Sequence, residues 1–207
     1  MIGWGGGYVT DVSYLAQHYP EQSPHMHAAA CLVAGYEPGF SGDAIGLHYL
    51  ELGCGRGRNA LVLAAANPTW KVTAIDFAPA AIAEARRTAA AAKLDNITFI
   101  EADLAGFAET PAAAALGEVD VVSMHGVRSW VPPEVRAGIA RLLAARLRSG
   151  GVVHVSYNVL PGLQGALGMH RVIRTAGMAL AKRRDRQVQC GGSARRRDAD
   201  RRSDRLC

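Results

Sequence analysis

Two hydrophobic rhythms share this chain of 207 residues. Short runs dense in Val, Ile, Leu and Tyr recur at intervals, and they read as buried strands over Leu47 to Leu52, Lys71 to Ile75, Ile97 to Glu101, Val119 to Met124 and Gly151 to Tyr157. Between them lie stretches with helical spacing: Asn59 to Ala66, Pro79 to Lys93 with its proline in the first turn, and Pro133 to Leu147. The last has the clearest period, with Val135, Ile139, Leu142, Leu143 and Leu147 on one stripe and Arg136, Arg141, Arg146 and Arg148 off it. The Ala-rich second helix has high propensity but little to orient it. Strands alternating with helices imply a parallel sheet joined by helical crossovers, an α/β architecture.

Ahead of this pattern, residues 1–41 are rich in Gly, Tyr and His, with a helix expected over Pro24 to Ala34. Gly35, Pro38, Gly39 and Gly42 then mark a boundary, so residues 1–41 read as an N-terminal cap and 42–181 as the main domain. Residues 182–207 hold only Val188 and Leu206 as aliphatic side chains, too few to offset the cost of ordering the backbone, and disorder is expected there. This tail carries ten Lys/Arg against four Asp/Glu and accounts for the net charge of +5. It is either a basic arm or out-of-frame translation, and the second reading is favoured because aromatic interleaving and periodicity are missing. The remainder is close to neutral, which gives no electrostatic case for nucleic-acid binding.

Apolar residues make up 49% of the chain and charged residues 20%, as in globular proteins. Cys31, Cys54, Cys190 and Cys207 are scattered, without the spacing of a zinc site or a disulfide framework, so a reducing cytoplasm is the expected location. No run approaches a bilayer-spanning length, and Met1 to Gly7 lacks the pattern of a signal peptide.

The chemistry concentrates after the first strand. Leu50-Glu51-Leu52-Gly53-Cys54-Gly55-Arg56-Gly57 places glycines at alternate positions between a strand and a helix, where backbone freedom and close approach of a ligand are both served. Arg58 stands where a dinucleotide fingerprint wants a small residue, so NAD fits poorly. Asp76 closes the second strand, where a carboxylate can accept hydrogen bonds from two ribose hydroxyls; a solvated strand end is the alternative. Asp103 follows the third strand, at a position that can meet an exocyclic amine.

These motifs resemble the class I S-adenosylmethionine-dependent methyltransferases, over about Gly42 to Asn158. The resemblance implies a Rossmann-like sheet with helices on both faces, lacking the last two strands of the family. It implies S-adenosylmethionine as cofactor, contacted by Glu51, Gly53, Cys54, Gly55, Gly57, Asp76, Phe77, Asp103 and Leu104, with Tyr14 of the cap. For Glu51 a structural role at the buried sheet edge is an equal alternative. The segments Gly7 to Tyr14, His125 to Pro133, Val155 to Asn158 and Pro161-Gly162 are similar to a bacterial group that often carries a methyltransferase regulatory domain and includes protein lysine methyltransferases. That group usually has an aromatic where Arg128 stands and often a Trp where Leu163 stands. The implied acceptor is then a protein side chain such as lysine.

His125, directly after the fourth strand, is the candidate base, with local capping as the alternative. Trp130 is expected to pack in the core rather than wall an acceptor pocket. Tyr8, Thr10, Asp11 and Tyr14 are candidates for a lid. His25 and His27 lack a third ligand, and no metal is expected. A truncated, inactive fragment and a nucleic-acid module using the basic tail are the alternative functions.

Overall fold

The strand runs assemble side by side, and the three central ones are buried along nearly their whole length. The computed structural model describes residues 17–41, 44–159, 161–162, 164–169, 171–173 and 175–176. The chain divides into two units, Met1–Tyr157 and Asn158–Cys207; of the second, the described residues include a 3-10 turn at Gln164–Ala166. Tyr14, the other lid candidates and the tail 182–207 lie outside the described residues.

In the first unit the strands are β1 (His48–Leu52), β2 (Lys71–Asp76), β3 (Ile97–Glu101), β4 (Val119–His125) and β5 (Leu147–Ser156). All pair in parallel, in the order β3-β2-β1-β4-β5. Every residue of β1 is buried, as expected of a central parallel strand covered on both faces. The helices are α1 (Pro24–Val33), α2 (Arg58–Ala66), α3 (Pro79–Ala91), α4 (Pro111–Leu116), α5 (Val127–Trp130) and α6 (Pro133–Arg146), with a 3-10 turn at Pro20–Gln22 ahead of α1 and another at Phe107–Glu109. Proline occupies the first turn of α1, α3, α4 and α6, where its missing N–H leaves no intrahelical bond unmade.

Alternation along the strands sorts the core into two layers. Leu47 and Tyr49, Val72 and Ala74, and Val121 meet α2 and α3 through Ala60, Leu63, Ile82 and Ala85. Leu50, Leu52, Ile75, Val122 and Met124 meet α4 and α6 through Ala113, Leu116, Val135, Ile139 and Leu142. Ile82, Ala85 and Ala89 form the buried face of α3, which its alanine-rich sequence does not reveal. Gly138 lets α6 lie against the loop after β3, since a Cβ there would stand 2.0 Å from the Leu104 carbonyl oxygen.

Two expectations are corrected. The α6 stripe ends at Arg146, and Leu147 opens β5 instead, four residues before the expected start at Gly151. Leu147 pairs with Val119 and Val152 with Val121, so β5 advances five residues where β4 advances two. The glycines at 150 and 151 make this excursion possible, and only the part of β5 after it has the look of a strand. The excursion brings Gly150 against Gly39, whose N–H donates to the Gly150 carbonyl at 3.1 Å. α4 and α5, at six and four residues, are too short for periodicity to register.

Candidate functional site

The strand order reverses between β1 and β4, and in open α/β sheets ligands bind at the carboxyl ends of the strands beside such a switch. The glycine turn leaves β1 at this point. Gly53, Gly55 and Gly57 have φ of +72°, +53° and +70°, a region that L side chains rarely occupy. Their surroundings differ. A Cβ on Gly53 would stand 2.4 Å from the Val127 side chain and one on Gly57 2.4 Å from the Phe99 ring, whereas one on Gly55 would meet nothing within 4 Å. Gly53 and Gly57 therefore allow protein to pack against the turn, and Gly55 leaves its outer side open. The Gly53 and Cys54 N–H groups both donate to the Ile75 carbonyl, at 2.8 and 3.1 Å.

Asp76, only 7% exposed at the tip of β2, organises the turn from the neighbouring strand. One carboxylate oxygen accepts from the Gly55 N–H at 2.7 Å, the other from the Ala78 N–H at 2.9 Å at the start of α3. Burial pushes its carboxyl above the usual range, against these amide donors. Phe77 is half-buried beside it. Asp103 is exposed after β3 and accepts from the Ala105 N–H at 2.9 Å. The Leu104 side chain is buried in the second core layer, and Cys54 is buried under the turn, so a ligand would reach these two through their backbones.

Glu51 is 5% exposed and belongs to a polar cluster that sequence reasoning missed. Its Oε2 accepts from Asn59 Nδ2 at 3.1 Å, and that amide also reaches Gln22 Oε1 at 2.7 Å and the Tyr49 hydroxyl at 3.2 Å. The Tyr19 N–H donates to Asn59 Oδ1 at 3.4 Å, so one α2 residue joins β1 to the segment before α1. Burial first, then the nearby Asp76 charge, raise the Glu51 carboxyl to about 7, although the Asn59 bond opposes them.

His125 ends β4. β1 and β4 are paired at Glu51 and Ser123, which puts His125 level with Gly53 across the switch point. Its Nδ1 lies 3.1 Å from Ser156 Oγ on β5 and 3.9 Å from Glu21 Oε1, and its ring stacks on Tyr19 with centroids 3.8 Å apart. Nearby, His27 stacks on His154, and Ser123 Oγ bonds His154 Nδ1 at 3.1 Å. Burial and its His154 neighbour lower His27 to about 4. Trp130 is 52% exposed, which corrects the core-packing expectation: α5 is one turn long and holds the indole off the core. Arg128 lies over the Tyr157 ring, 5.8 Å from its centroid. Among the described residues no group of three or more potential ligands converges on a metal position, and no helix is long and apolar enough to cross a membrane. A cleft lined by Ile45, Leu47, Asp120 and Arg148 opens at the opposite ends of the strands from the glycine turn.

Parallel order 3-2-1-4-5, a left-handed glycine turn after β1 and carboxylates after β2 and β3 are together the arrangement of an α/β domain of the methyltransferase class. Residues 50–151 match the family model for a methyltransferase domain, and this part of the chain is a methyltransferase domain of the class I S-adenosylmethionine-dependent kind. The structure of PKMT2 from Rickettsia typhi in complex with AdoHcy is similar, with a TM-score of 0.69 and 25% identity over 78% of this chain and 29% of that one. An uncharacterized protein of Synechocystis is 33% identical over 84% of this chain and 33% of its own length. Trans-aconitate 2-methyltransferase of Paracidovorax citrulli is 34% identical over 52% of this chain and 37% of its own. The chain thus spans about a third of the length of these relatives.

Proposed function

We propose that the glycine turn and the tips of β1 to β4 bind S-adenosylmethionine and that the protein transfers its methyl group to a protein side chain, lysine being the first choice. The observation that carries the cofactor reading is the open space outside Gly55, at a φ of +53°, with the Asp76 carboxylate fixing that N–H from below. A ligand can approach the backbone there, and each Asp76 oxygen keeps a lone pair for a ribose hydroxyl. Phe77 offers a half-exposed ring beside the adenine position, and Asp103 a carboxylate for the exocyclic amine. Glu51 supplies the negative charge that suits the ligand's ammonium group.

The cofactor brings an activated methyl on a sulfonium, so the protein has to orient the acceptor and exclude water. Trp130, Arg128 and Tyr157 are exposed side chains of the elements that follow or flank β4, and they are the proposed walls of the acceptor approach. Lysine is favoured by the similarity to Rickettsia typhi PKMT2. Calorimetry with S-adenosylhomocysteine on the full chain tests the cofactor reading: a saturable heat at one site is expected, and a folded protein that produces none would end it. Incorporation of labelled methyl groups into a lysine-containing peptide, but not into its N-acetylated form, tests the acceptor.

A further inference from the structure

His125 sits in a socket made by two other segments of the chain, the turn before α1 and the end of β5. The Tyr19 ring covers one face at 3.8 Å, Ser156 Oγ approaches Nδ1 at 3.1 Å, and Glu21 Oε1 stands 3.9 Å from the same nitrogen. Nε2 has no hydrogen-bond partner among the described residues, and the side chain is 32% exposed. Two neutral tautomers are available to such a ring, and the environment of Nδ1 selects between them. Ser156 Oγ already accepts from the Gly126 N–H at 3.0 Å, which fixes the hydroxyl without deciding which way the proton lies toward the imidazole. Glu21 decides it. An ionised carboxylate only accepts, so its charge favours a hydrogen on Nδ1 and disfavours a lone pair there. His154, another titratable group near this ring, bonds Ser123 through its own Nδ1.

The geometry points to Glu21 and Ser156 as positioning residues that hold His125 in the Nδ1–H form, leaving Nε2 as the proton acceptor for a methyl acceptor whose nucleophilic atom carries a hydrogen. This rests on the methyl-transfer reading and narrows its substrate class. In the step, the acceptor's N–H proton passes to Nε2 and the nitrogen lone pair forms the N–CH3 bond as the C–S pair returns to sulfur. A carboxylate acceptor has no proton to give Nε2 at neutral pH and would face the Glu21 charge, so an amine fits where a carboxylate does not.

The tautomer is readable without knowing the acceptor. Two-bond proton–nitrogen correlation spectra of the 15N-histidine-labelled full chain at pH 8, assigned with His125→Gln, are expected to show His125 Nδ1 protonated and Nε2 bare. Glu21→Gln, at an exposed position that should not disturb folding, is expected to shift the ring toward the Nε2–H form, and Glu21→Asp to restore part of the wild-type signal. An Nε2–H ring in the wild type, or a wild-type tautomer that Glu21→Gln leaves unmoved, overturns the proposal. S-adenosylhomocysteine titrations of the same samples read the cofactor assignment separately: unchanged affinity with a changed tautomer is the expected pair, and loss of binding by the wild type would strike the methyltransferase reading instead.

Discussion

The carboxylate of Asp76 holds the N–H of Gly55 at 2.7 Å, across from one strand tip to the next. A turn with three left-handed residues needs an external tie, and this buried one joins the ligand-facing amide to the start of α3. Asp76→Asn keeps the size but turns one acceptor into a donor that opposes an N–H. Affinity for S-adenosylhomocysteine is expected to fall by roughly 1–3 kcal/mol, the range for losing hydrogen bonds to a charged group. Calorimetry checks this, and an unchanged constant would remove Asp76 from the site.

Gly55 and Gly57 are expected to fail in different ways when changed to Ala. At Gly57 the methyl group meets Phe99 at 2.4 Å, so stability should drop by roughly 2–4 kcal/mol. At Gly55 the methyl group enters open space and the backbone strain is about 1 kcal/mol, but the methyl occupies the ligand's approach. Chemical denaturation should single out Gly57→Ala, and ligand titration should single out Gly55→Ala.

Two buried groups, Glu51 and His27, push stability in opposite directions as pH changes. Glu51 moves from 4.5 to about 7, so between those values the folded carboxyl keeps a proton that the unfolded chain has released, and raising the pH destabilises. His27 moves from 6.5 to about 4, so between those values the unfolded chain holds a proton that the folded imidazole lacks, and lowering the pH destabilises. Each amounts to roughly 3 kcal/mol, and the windows overlap. Glu51→Gln should expose the His27 slope, with denaturation midpoints rising from pH 5 to pH 6.5 and level above it. A flat profile in the variant would show that His27 titrates normally.

Binding of S-adenosylhomocysteine should release a proton near neutrality. An ammonium group beside Glu51 favours its ionised form, and a carboxyl at about 7 is half protonated at that pH. The binding enthalpy should therefore vary with the ionisation enthalpy of the buffer, corresponding to about half a proton at pH 7. Glu51→Gln should abolish that variation.

The parts of the site that lie close together in sequence were legible. Strand, glycine turn and helix follow one another within Leu50 to Ala66, and Asp76 and Asp103 are marked by their positions after strands. The second tier was not legible, because its members meet from far along the chain: Asn59 with Gln22 across 37 residues, Tyr19 with Asn59 across 40, His125 with Ser156 across 31. Tyr19, Glu21 and Gln22 lie in a 3-10 turn and its entry, where no periodicity marks a functional face. Trp130 misled because size suggests burial while a one-turn helix cannot deliver it.

The tie between Gly39 and Gly150 gives the α1 segment a fastened end. Its leading residues, Tyr19 and Gln22, rest on the ligand-side tips of the sheet, while the residues after the helix are stitched to β5 at the other pole, where the Arg148 side chain also bonds the Gly39 carbonyl. The segment lies along the molecule like a strap buckled at the bottom. Displacing Tyr19 would uncover the His125 ring while leaving the buckle at Gly39 and Gly150 closed.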